Sequence, residues 1–197
     1  MLSAMKNVND KTFSLILKNF LYKGESEILN EWTLNNLSES NHFHDAGMDP
    51  DNPNTRFTTR FPNESIAENI NYPEIVFKIK DRIINYFHLK EYKSPPSYSH
   101  GIVNGIGVPG GRIERHIDPT YYDNTFTLHC NILSMSPESG GDTIINGKTH
   151  KINQGDLLAY LVSEQYHEVT KTNGSIPRIL WVFGFCIDSK KVKEMFL

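Results

Sequence analysis

His116-Ile117-Asp118 places an imidazole and a carboxylate two residues apart. On a β-strand, residues i and i+2 point to one face, so both side chains reach a common ligand. Alone the pattern is weak, because a chain with eight histidines meets it easily by chance. Its neighbours add weight. His167 opens a strand-like stretch after the apolar run 157–162, and Arg178 follows on the last strand-like run. Two neutral imidazoles and one carboxylate on a β scaffold leave coordination positions open, a donor set that suits Fe(II). A guanidinium directed into apolar surroundings is costly unless it meets an anion, and its fork matches a carboxylate.

Alternation nominates further groups. Within 126–133, Thr127, His129 and Asn131 share one face, while Phe126, Leu128, Cys130 and Ile132 share the other. A polar face on a central strand looks into a polar cavity or into water, and the cavity is the preferred reading. The same rule sets Arg112 and Glu114 on the side of His116, provided no bulge intervenes, where they could hold a charged substrate group. Arg56 and Arg60 flank Phe57-Thr58-Thr59 and could clamp an anionic substrate from a closing loop, against the blander reading of solvated loop arginines. Tyr121 follows the His-x-Asp segment, either facing substrate or packed beneath a loop. His42-Phe43-His44-Asp45 could be a second metal site, but a surface turn is the preferred reading. Trp181 and Phe183 are expected in the core, and Cys186 is read as an apolar filler because no partner base can be identified. There is no phosphate-cradling Gly-rich loop with Lys-Ser/Thr, no Gly-x-Ser-x-Gly elbow and no paired-cysteine zinc spacing.

The elements that must position these groups change character near residue 95. Before it, Phe13, Leu15, Ile16, Phe20 and Leu21 suggest a short helix ended by Gly24, and Ile28, Leu29, Trp32 and Leu37 a second. The clearest helix spans 73–89, where Ile75, Ile79, Ile83 and Phe87 recur four apart. Residues 42–63, rich in Asn, Asp and Pro, read as an exposed loop. After residue 95, eight short β-rich runs are expected near 101–107, 112–118, 125–134, 142–145, 149–152, 157–162, 167–171 and 178–187. Asn146-Gly147 is the strongest hairpin signal. The expectation is a mainly β single domain, 1–197. Its N-terminal helices and polar loop (1–94) would buttress a sandwich, barrel or jelly-roll core at 95–190.

Composition closes other routes. At 197 residues, 38% hydrophobic and 22% charged, the chain is sized for one globular core. A formal charge of −3 offers no footprint for a nucleic-acid backbone, so nucleic acid is not an expected partner. No apolar run is long enough to cross a bilayer. The polar N-terminus lacks the apolar core of a secretion signal, and Cys130 and Cys186 fit two buried thiols, so a cytoplasmic protein is expected. The sequence does not address oligomeric state.

Taken in order, His116-x-Asp118, Gly140-Gly141-Asp142, Gly155-Asp156, His167-Glu168-Val169 and Arg178 resemble the Fe(II)/2-oxoglutarate-dependent dioxygenases, most closely the prolyl-hydroxylase-type branch. The likeness spans roughly residues 100–187. It implies a double-stranded β-helix (jelly-roll) with buttressing helices, Fe(II) held by His116, Asp118 and His167, and Arg178 on the distal carboxylate of 2-oxoglutarate. It further implies O2-dependent decarboxylation of that cosubstrate to succinate and CO2, coupled to hydroxylation of an unactivated C–H bond. The intact Asp118 points to hydroxylation over halogenation. Many members of the branch carry a tyrosine some ten residues before the first ligand, where this chain has Ile106. Asn131 and His129 are the candidates to donate to 2-oxoglutarate oxygens in its place. The substrate implied is an amino acid, an amino-acid derivative or a peptide. A nucleobase-modifying oxygenase and a non-catalytic metal-binding jelly roll of the cupin type are the alternatives.

Overall fold

The computed structural model describes residues 12–37, the backbone of 43–44, residues 55–59 and residues 71–197. In chain order the strands are β1 (Ser14–Leu17), β2 (Phe43–His44), β3 (Arg56–Thr58), β4 (Ile102–Gly107), β5 (Ile113–His116), β6 (Phe126–Met135), β7 (Thr143–Ile145), β8 (Lys148–His150), β9 (Leu157–Leu161), β10 (His167–Val169) and β11 (Arg178–Ile187). The helices are α1 (Glu25–Asn36), α2 (Glu74–Phe87) and α3 (Ser189–Phe196). A major sheet runs β1-β9-β6-β11-β4-β3-β2 and a minor sheet β5-β10-β7-β8. Every pairing is antiparallel, and the result is a jelly-roll-like fold.

The long central strands β6 and β11 have two differently made faces. One face, with Leu128, Cys130 and Ile132 on β6 and Ile179, Trp181, Phe183 and Phe185 on β11, packs with Val76, Ile79, Ile83 and Phe87 of α2 and Leu29 of α1 into the main core. The helical stripe of 73–89 therefore meets a sheet, with Pro73 as the N-cap and His88 closing the C-terminus in the left-handed region. Asn146 and Gly147 (φ 47° and 79°) make a two-residue hairpin between β7 and β8, as the dipeptide predicts.

Three elements differ from the sequence expectations. The apolar residues after Phe13 form no helix. Ser14–Leu17 is an edge strand registered on β9, with Leu15 opposite Ala159. Over so few residues, apolar spacing fits either period, and pairing with β9 decides. Gly24 starts α1 rather than ending a helix. The polar stretch 42–63 contributes β2 and β3, which extend the major sheet beyond β4. Helix α3 also goes unforeseen, although Asp188 caps it by accepting from the Lys191 backbone N–H at 2.8 Å. His42, Asp45 and Arg60 lie outside the described residues. Both cysteines are buried free thiols, and burial pushes Cys186 up to about 11.

Candidate metal centre and its cavity

His116 on β5 and His167 on β10 are cross-strand partners, which sends both rings to one face with centroids 4.1 Å apart. Each Nδ1 donates to the carbonyl two residues back, His116 to Glu114 at 2.7 Å and His167 to Gln165 at 3.1 Å. A carbonyl can only accept, so Nδ1 carries a proton, and in the neutral ring the lone pair is on Nε2. Asp118 lies just beyond β5, tied down by its N–H to the Val162 carbonyl at 3.0 Å and by Thr127 Oγ1 to the Pro119 carbonyl at 2.8 Å. One carboxylate oxygen is 3.4 Å from His116 Nε2, and the other is 3.7 Å from His129 Nε2. One donor atom from each of His116, Asp118 and His167 falls within 4.8 Å of the others, close enough to share one ion.

The electrostatics favour a cation at that point. Burial pushes the Asp118 carboxyl up, but the hydrogen bond from His116 and the surrounding imidazoles outweigh it, holding the group well below the carboxylate range. Burial, then the proximity of His116, lower His167 and keep its ring neutral. For His116 burial opposes protonation, while Asp118 and the Glu114 carbonyl raise it; a bound cation would take that proton's place.

These groups open into a cavity between the sheets with two adjoining lobes. The lobe at the His/Asp cluster is lined by Tyr98, His129, Asn131 and Tyr160 together with apolar Val103, Leu180 and Val182. The polar face of β6 thus looks into a cavity and not into water. Sequence reasoning passed over Tyr98 and Tyr160. The Tyr98 hydroxyl is 3.0 Å from His129 Nε2, and Asn131 Nδ2 donates to the Tyr160 hydroxyl at 3.3 Å, leaving Asn131 Oδ1 without a partner. Tyr160 is registered opposite His129, so β6 alternation carried across to β9 would have exposed it.

Arg178 stands where the lobes join. It is 6% exposed, its Nε has no hydrogen-bond partner, and among the described residues it forms no ion pair. Burial pulls its pKa down to about 10, so it is charged at neutral pH, which calls for a buried anion. Gly141 makes room for it, and Gly140 lets the turn pass close to Lys171. A Cβ on Gly141 would lie 2.8 Å from Arg178 Cδ, and one on Gly140 would collide with the Lys171 carbonyl.

The remaining candidates are placed as follows. Strand β5 carries a bulge, since His167 pairs with His116 but Val169 pairs with Ile113. Ile113, and not Glu114, therefore shares the cavity face with His116. Arg112 lines the second lobe and is salt-bridged to Glu114 at 2.7 Å. Tyr121 lies outside both lobes, accepting from Ser97 Oγ at 2.9 Å and packing edge-on against Tyr98. Arg56, on β3, lines both lobes. Gly155-Asp156 has a structural part: Asp156 accepts from Asn153 and Asn19 backbone N–H groups and from Lys18, pinning the start of β9 to the turn after β1.

No protein-family model matches the chain, and no curated protein matches it. Solved structures do: the chain shares the fold of prolyl hydroxylases and related 2-oxoglutarate-binding proteins. A viral collagen prolyl hydroxylase of Paramecium Bursaria Chlorella virus-1, solved as its 2-oxoglutarate complex, matches with TM-score 0.62 at 16% identity, over 91% of this chain and 99% of that one. A Pseudomonas putida prolyl-4-hydroxylase matches with TM-score 0.64 at 14% identity, over 95% and 99%. HygX of Streptomyces hygroscopicus, with nickel and 2-oxoglutarate bound, matches with TM-score 0.59 at 12% identity, over 89% and 83%. Among the described residues, no helix is long and apolar enough to cross a membrane.

Proposed function

We propose that this protein is an Fe(II)- and 2-oxoglutarate-dependent dioxygenase that hydroxylates an unactivated C–H bond of an amino acid, an amino-acid derivative or a peptide. The carrying observation is one cavity that holds both halves of the chemistry. At one point are two imidazoles, each anchored through Nδ1, and a carboxylate, and at another is a buried guanidinium whose Nε is unpartnered. The donor set fits Fe(II), with positions left open. The two sheets are then the double-stranded β-helix, residues 95–190 the catalytic core and 1–94 its buttress, within one domain. The likeness to a collagen prolyl hydroxylase supports a peptide as one substrate class.

When bound, iron and 2-oxoglutarate supply O2-dependent oxidative decarboxylation, releasing succinate and CO2 and delivering one oxygen atom to the substrate. The chain does the rest. His116, Asp118 and His167 hold the metal, and the carbonyls of Glu114 and Gln165 fix the tautomer and orientation of the two rings. Arg178 binds the distal carboxylate of 2-oxoglutarate, and His129 and Asn131 donate to its other oxygens. Val103, Leu180 and Val182 exclude water from the reacting region.

Aerobic incubation with Fe(II) and 2-oxoglutarate, followed by succinate measurement and mass spectrometry of candidate amino acids and peptides, tests this reading. The wild type forms succinate and adds one oxygen atom to its substrate, whereas Asp118→Ala does neither. A metal-loaded, folded wild type that forms no succinate would sink it.

A further inference from the structure

The arginine on β3 was expected in a loop, free to meet substrate. It is instead built into the sheet. Arg56 is registered opposite Gly107 on β4, and Gly107 is registered opposite Arg178 on β11. Residues directly opposite across antiparallel strands point to the same face, so the two arginines form one row with a glycine between them. The next inward position of β4 is Gly105, so that strand contributes no side chain to this part of the wall. With strands spaced about 4.8 Å apart, the two Cα atoms are separated by roughly twice that, within converging reach of two guanidinium groups. Both arginines line both lobes. Arg56 lowers the proton affinity of Arg178, and its charge is also felt at His116, His167 and Tyr160. Two guanidinium groups brought to one space from neighbouring strands can hold a single carboxylate from two sides. The third arginine nearby, Arg112, lines one lobe alone and is salt-bridged to Glu114.

We propose that Arg56 and Arg178 clamp the same carboxylate, the distal one of 2-oxoglutarate, across Gly107, which makes Arg56 a specificity determinant for the cosubstrate and not a contact for the primary substrate. The inference rests on the function proposed above. It assigns a role in the site to a segment that composition marks as a polar loop. Ile106, ten residues before His116, lies between the inward Gly105 and Gly107 and packs in the helix-side core, so it makes no contact that Arg56 would replace.

Equilibrium binding under anaerobic conditions to the metal-loaded protein, followed by calorimetry, tests the clamp. The ligands are 2-oxoglutarate and 2-oxopentanoate, which keeps the chelating keto-acid end and lacks the distal carboxylate. Arg56→Met and Arg178→Met should each weaken 2-oxoglutarate on the order of tenfold to a hundredfold, the loss of a charge-assisted bond. Both should bind 2-oxopentanoate as the wild type does, so the preference for the diacid narrows in each. Metal affinity and melting temperature report whether each variant is folded, and Arg56→Lys, which keeps the charge and strand length, should recover part of the diacid preference. If Arg56→Met binds 2-oxoglutarate like the wild type while Arg178→Met does not, the clamp is wrong and the proposed function stands, with Arg56 left for an acidic substrate. If the metal-loaded wild type binds no 2-oxoglutarate, both fall.

Discussion

The two faces of β6 and β11 are made by the same alternation and do opposite work. Toward the helices, Leu128, Cys130, Ile132, Trp181, Phe183 and Phe185 are fully or nearly fully buried among apolar neighbours. Toward the minor sheet, the intervening residues include His129, Asn131 and Arg178, buried as well, and among them Asn131 Oδ1 and Arg178 Nε have no hydrogen-bond partner. Burying apolar groups stabilises the fold, while burying polar groups without partners costs free energy that a ligand can recover. The difference teaches that stability is concentrated on one side of a single layer and binding on the other. Substitutions should therefore separate the two.

The largest effect is expected on the helix side. Phe183→Ala leaves a void in the core and should lower unfolding free energy by about 3–5 kcal/mol, measured by denaturant titration. The protein that remains folded should still bind metal, because the His/Asp cluster is on the other side. Loss of metal affinity in that folded fraction would break the comparison. On the cavity side, Gly141→Ala forces a left-handed residue (φ 70°) to carry a Cβ that meets the Arg178 stem. Calorimetry should show 2-oxoglutarate weakened about tenfold or more through the displaced guanidinium, with metal affinity nearly unchanged. Equal weakening of both would show that the two halves of the cavity are not separable. The smallest effect belongs to neither face. Burial raises the Asp156 carboxyl, but Lys18 and two backbone N–H groups outweigh it and hold it below its ordinary value. A carboxyl lowered on folding stabilises above its unfolded pKa of about 3.9, and that contribution is lost as pH falls through the folded value. Asp156→Asn should flatten the acid limb of the stability profile and cost about 1–2 kcal/mol at neutral pH, leaving 2-oxoglutarate binding intact.

How far residue patterns reach depends on how local the deciding interaction is. The polar and apolar faces of β6 could be read because a central strand keeps strict period-2 alternation over its whole length. The Asn146-Gly147 hairpin could be read because the turn needs two positive φ angles that this dipeptide tolerates. Where Glu114 and Ile113 point could not be read, since the β5 bulge is fixed by register against β10 and no residue in β5 announces it. Strand β3 escaped for a similar reason: three residues inside a turn-rich stretch become a strand only through pairing with β4. Arg56 could thus be nominated as an anion contact, but its alignment with Arg178 is a property of the sheet. Strand β1 was misread as a helix because four residues of apolar spacing do not distinguish the periods.

The central claim is that one cavity brings a three-residue iron site and a carboxylate-binding arginine together on a single cosubstrate. The anaerobic visible spectrum of the purified protein with Fe(II), recorded as 2-oxoglutarate is added, tests it most directly. A weak charge-transfer band should grow to saturation in the wild type, be absent in Asp118→Ala, and require more 2-oxoglutarate in Arg178→Met. A wild type that binds Fe(II) yet develops no such band at any 2-oxoglutarate concentration would contradict it.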